Sequence, residues 1–178
     1  GVDGQSLTTP VEVRLDPRVA VSPADLEEQL AFALGLRQDL VRLAEIVHDL
    51  RSVREQVKAR AAPLRGVTAA APLVAAADAL AGRCDALEER LHNPKAEVTY
   101  DILARPGGAK LYSRLAPLYS WSHDGDGRPT QGMRAVYAEL RTELDALAAE
   151  WKTILEADVP AFNAKARELF PDPVVLPA

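Results

Sequence analysis

Two short motifs in this 178-residue chain pair a carboxylate with an imidazole at one-turn spacing: Glu45-Ile-Val-His48 and Glu89-Arg-Leu-His92. On a helix, residues three apart lie on the same face. Two such motifs, joined by a Glu from each of two further helices, are how ferritin-like bundles hold a pair of metal ions. A metal-binding carboxylate and histidine bundle is therefore one alternative for the function. Spacing argues against it. Counted from the connector at residues 62–66, the two histidines sit roughly 15 Å apart along an antiparallel hairpin, with Val47 and Leu91 rather than the histidines pointing inward.

A third passage, "SWSHDGDGRPTQGM" from Ser120 to Met133, gathers His123, Asp124 and Asp126 among glycines. A calcium loop of the EF-hand type needs oxygen ligands at positions one, three and five, glycine at six and Glu at twelve. Counted from Asp124, positions five, six and twelve are Arg128, Pro129 and Ala135, so the pattern fails. Asp and Gly instead favour a turn, with Thr130 or Asp126 able to cap the helix that follows.

"PGGAK" at 106–110 lacks the glycine spacing and hydroxyl of a phosphate loop. No serine has a nucleophile-elbow context. The single cysteine, Cys84, keeps step with Leu80, Leu87 and Leu91 and reads as a small core residue. Glu88 and Glu89 with Arg83 and Arg90 read as a solvated helix face. Catalytic, metal and cofactor assignments are accordingly none. Four aromatic residues, Tyr100, Tyr112, Tyr119 and Trp121, cluster in sequence and form the candidate docking patch for a protein partner, since Tyr and Trp are favoured anchors.

The elements that must hold these residues are helical. Composition is 48% hydrophobic with only 5% aromatic, a balance suited to helices packed through Ala and Leu layers. "SPAD" opens the first helix with a capping serine, Pro23 at the first turn and Asp25 completing a capping box. Apolar positions then recur at Leu26, Leu30, Ala33, Leu36, Leu40, Leu43, Val47, Leu50 and Val57, predicting a rod over about 22–60. Shorter helices are expected over about 67–92 and 108–122, and a second long one over about 131–169, kinked where Pro160 removes the bond to the Glu156 carbonyl. The fold class is all-α: an antiparallel helical bundle over 22–170, with the two shorter helices sharing the length of one long one. Val11, Val13 and Leu15 alternate as in a strand, giving residues 1–21 the look of an extended arm that needs a partner strand, either at Val174–Leu176 or upstream. Residues 171–178 form a Pro-rich tail.

A net charge of −5 offers nothing to nucleic acid, and no apolar run is long enough to span a membrane.

Lys110-Leu111, Leu115, Leu118, Pro129-Thr130-Gln131, Leu140, Leu144 and Asp158 to Asn163, together with the opening Arg14 to Leu34, resemble the helical C-terminal domain of bacterial Asp-box, sortilin-like β-propeller proteins. These are often labelled glycosyl hydrolases or exo-sialidases. The resemblance implies a non-catalytic accessory domain that docks on an upstream β-propeller or a protein partner, in an extracytoplasmic setting. Any hydrolase chemistry would belong to the propeller. A homo-oligomerising bundle, most simply a homodimer, is the alternative.

Overall fold

A computed structural model describes residues 4, 6, 8–95 and 107–168. Helix α1 spans Pro23–Ala61, α2 Ala71–Leu91, α3 Leu111–Trp121, α4 Gln131–Thr153 and α5 Val159–Ala166. The described residues form an all-helical bundle, as the periodicity predicts.

Helix α1 starts where its signals place it. The Ser22 hydroxyl accepts from the Asp25 amide at 3.2 Å, and the Asp25 carboxylate accepts from the Ser22 amide at 3.0 Å. Two donors that a helix start would leave orphaned are thereby satisfied. The rod closes on a single tight turn at Ala62–Leu64, and Gly66, at φ +92°, reverses the chain. A second tight turn at Thr68–Ala70 leads into α2.

Polar bridges fix the directions. Arg54 meets Asp85 and Arg51 meets Glu88, so α2 runs against α1. Glu28 pairs with Arg134 and Arg42 with Asp145, so α4 runs alongside α1. Arg90 pairs with Glu150 and Arg83 with Asp158, which sets α4 and its extension against α2. Helix α3 continues the direction of α2, passing from His92 beside Tyr112 to Gln29 beside Ser122. The bundle thus has three rods, and α2 and α3 end to end make the middle one. Leu43, Leu50, Val53 and Val57 of α1, Leu80, Cys84, Leu87 and Leu91 of α2, Leu111, Leu115 and Leu118 of α3, and Leu140, Leu144, Leu147 and Trp151 of α4 share one core.

One expectation is corrected. Leu30 lies 60% exposed rather than in the seam. Each step of three residues falls about 60° short of a turn, and two in succession, Leu30 to Ala33 to Leu36, carry Leu30 about 120° off the buried face. No strand occurs among the described residues, and Val11 and Val13 of the N-terminal arm are exposed. The expected partner at Val174–Leu176 lies outside the described residues. The long fourth helix is irregular beside Pro160, as expected. At Ile154–Asp158 the chain widens into a π turn in which the Val159 amide bonds the Ile154 carbonyl, five residues back. The wide turn lies directly before Pro160, whose ring cannot make the four-residue bond.

Candidate functional site

The polar face between α1 and α2 is a ladder. Three residues along α1 match three residues back along α2: the Arg54 guanidinium donates to Asp85 at 2.7 Å, and Arg51 Nε donates to Glu88 at 2.6 Å. Arg54 also donates to the second Glu88 oxygen at 2.6 Å. Glu88 is therefore no solvated residue. It is 3% exposed and held between two guanidiniums. Burial without partners would cost a carboxylate several kcal/mol (order of magnitude), which is why both arginines converge on it.

One more step of three along each helix brings His48 level with Leu91 and His92. Both histidines line the same groove of about 320 Å³, together with Leu43, Ala44, Val47 and Tyr112. The expected separation of roughly 15 Å is wrong. Regular α2 begins only at Ala71, after the tight turn at Thr68–Ala70, so the crest of the hairpin lies later than the "APLRG" count assumed. The ring of His92 tilts against Tyr112 with centroids 5.7 Å apart. Its Nδ1 is buried with no hydrogen-bond partner among the described residues. Burial, and after it the positive charge of Arg51, hold the His92 pKa below its ordinary value, so the ring is neutral at pH 7.

Shared position does not make a metal centre of the two Glu-x-x-His motifs. Glu89 faces a different groove, with Arg51, Arg54, Asp85 and Pro94. Among the described residues no three His, Cys, Asp or Glu side chains come together in a metal-binding arrangement. Asn93, which the sequence does not single out, is buried beside the groove. Its amide donates to the Gly108 carbonyl at 3.0 Å, and its carbonyl oxygen accepts from the Lys95 amide at 3.0 Å. It thereby ties the end of α2 to the approach to α3.

Three of the four aromatic residues of the docking patch lie on α3. Tyr100 lies outside the described residues. Tyr112 and Tyr119 are half-buried against the core, and Tyr119 tilts against His123 at 5.0 Å. Trp121 stands apart, 64% exposed at the end of α3. Two helical turns back along α3, Arg114 pairs with Glu143 of α4. The same two turns from Glu143 along α4 reach Val136, 47% exposed. Trp121 and Val136 thus share one level of the α3–α4 groove, and sequence reading missed Val136 because that level is set by inter-helix register.

The "SWSHDGDGRPTQGM" passage is a corner pinned to the start of α1. The Gln29 amide donates to the carbonyls of Ser122 and Gly125 at 2.9 and 2.5 Å. Arg128 pairs with Asp25 at 3.0 Å. Thr130, not Asp126, caps α4 by accepting from the Met133 amide at 3.2 Å.

Cys84 is fully buried, and burial pushes its thiol pKa up to about 11. At pH 8 almost no thiolate forms, and reactivity follows the thiolate. Iodoacetamide is therefore expected to label the folded protein at least about a hundredfold more slowly than the denatured chain. Comparable rates, measured by mass spectrometry, would contradict the burial of this side chain.

No family model, curated protein or solved structure matches this chain.

Proposed function

We propose that the chain is a non-catalytic accessory domain that docks a protein partner through the α3–α4 groove, with Trp121 as anchor and Val136 beside it. The observation that carries this reading is the exposure of Trp121. A tryptophan that buries its apolar area only on association gains far more there than a smaller side chain. The partner class comes from the resemblance to the helical domains that follow sortilin-like β-propellers. The residues behind that resemblance serve architecture: Leu111, Leu115, Leu118, Leu140 and Leu144 are core, and Thr130 is a cap. They support a common bundle, while Trp121 supplies the docking group.

The test is titration of the domain with the upstream propeller, read by tryptophan emission. Of the two tryptophans, Trp151 is buried, so a blue shift on binding reports Trp121. Trp121→Ala is expected to weaken association by at least about tenfold while leaving the melting temperature unchanged. Equal binding by the wild type and a Trp121→Ala/Val136→Ser variant would end this reading.

A second reading, self-association, has its own support on α1. Leu30, Leu34 and Val41 are all exposed on one side of the helix, opposite the core face. Two antiparallel copies of this face crossing near Phe32 would set Leu30 against Leu34 and Glu27 against Arg37, a self-complementary arrangement. Sedimentation separates the two readings: a strict monomer at high concentration removes the second and leaves the first standing.

A further inference from the structure

The geometry points to a binding site for a carboxylate carried on a small apolar body in the groove between α1, α2 and the start of α3. Three features converge there. The walls divide by chemistry: Leu43, Val47 and the ring of Tyr112 are apolar, while His48, Arg51 and His92 supply nitrogen. Among the described residues the lining holds no carboxylate, and Arg51 gives it a permanent positive charge. A volume of about 320 Å³ falls at the small end of ligand pockets, fitting a single ring or a short branched chain with its acid group.

The donors are already in place. Arg51 is held by Glu88 through Nε and Nη2, which fixes its guanidinium plane before any ligand arrives. Nη1 is not engaged by Glu88, and a guanidinium already held in place loses little further entropy on binding. The buried, unpartnered Nδ1 of His92 is the second indication. Buried ring nitrogens are normally hydrogen-bonded, so a small turn of this ring toward the groove would let a ligand satisfy it. His48, exposed at the rim, completes the set.

The chain has only three histidines, so their C2–H resonances make a direct readout. His123, in the corner loop beyond Tyr119, serves as the internal control. Phenylacetate is expected to shift His48 and His92 saturably and leave His123 in place. Phenylacetamide, which keeps the ring and loses the charge, and acetate, which keeps the charge and loses the ring, should each bind at least about tenfold more weakly. Ala44 is exposed and lines the groove, and Glu is a good helix former. Ala44→Glu should therefore fold normally and weaken phenylacetate by at least about tenfold through like charge, whereas Ala44→Gln should not. Two short peptides ending in Phe, one with a free carboxylate and one amidated, separate the sources of the acid. Tighter binding of the free-acid peptide than of phenylacetate assigns the site to a chain terminus, and the reverse assigns it to a small metabolite. Equal binding of phenylacetate and phenylacetamide would overturn the assignment, as would equal movement of His123 or an Ala44→Glu variant that binds like the wild type.

Discussion

Glu88→Ala is expected to lower the stability of the fold by about 3 kcal/mol, the lower end of the range for removing one partner of a buried ion pair. In a domain of this size that is a fall in melting temperature of roughly 6–12 °C. The loss comes from the cations left behind. The Arg54 side chain is only 18% exposed, and without Glu88 it keeps Asp85 and, more distantly at 3.8 Å, the exposed Glu55. Arg51, nearly half exposed, can turn to water. Glu88→Gln should cost less, about 1–2 kcal/mol, because the amide keeps the shape and one acceptor oxygen. A triple replacement, Arg51→Met with Arg54→Leu and Glu88→Leu, should come close to wild-type stability, since an apolar set of similar volume avoids desolvating three charges. Chemical denaturation checks the series. A loss under about 1 kcal/mol for Glu88→Ala would mean that water already reaches the cluster.

How far the sequence reads toward this cluster depends on the range of the interaction. Ser22, Pro23 and Asp25 announce the start of α1 because a capping box is complete within four residues, and the structure forms it as written. The stripes at Leu80, Cys84, Leu87 and Leu91, and from Leu140 to Trp151, are legible for the same reason: helical periodicity is local. Glu88 is not. Beside Glu89 and Arg90 it reads as surface, and only the register between α1 and α2 sends it inward. The one local hint is the spacing of Arg51 and Arg54, two cations a turn apart on a face that otherwise buries Val47, Leu50 and Val57. The common groove of His48 and His92 was hidden by the same register, because a shift of the hairpin crest by a few residues moves every cross-helix pair. Trp121 stands out by residue type, whereas Val136 is an ordinary helix residue until α3 is laid against α4.

Tyr137→Phe is expected to cost about 2 kcal/mol, because it strips a hydrogen bond from a second buried carboxylate. Asp39 is 6% exposed and accepts from the Tyr137 hydroxyl at 2.7 Å, with Arg141 at 3.8 Å as its other neighbour. Gly35 gives this site an unusual coupling. A Cβ added at Gly35 would lie 3.0 Å from the Tyr137 hydroxyl oxygen, close enough that the tyrosine would have to shift away. Glycine inside a helix otherwise costs about 1 kcal/mol relative to alanine. The two effects oppose each other in the wild type, so Gly35→Ala should come out near zero or destabilising. Without the hydroxyl the obstacle is gone, and Gly35→Ala in the Tyr137→Phe background should stabilise by about 0.5–1 kcal/mol. The sign of one substitution therefore depends on a single oxygen, and a double-mutant cycle by urea denaturation reads it directly. Additive effects would mean that Gly35 and Tyr137 do not press on each other. The pair also leaves a mark in alkali. Burial first, then the bond to Asp39, raise the Tyr137 hydroxyl above the ordinary phenol value. The folded state thus keeps a proton that the unfolded chain releases, and stability falls as pH climbs past about 10. Tyr137→Phe should flatten that part of the profile while lowering stability at neutral pH.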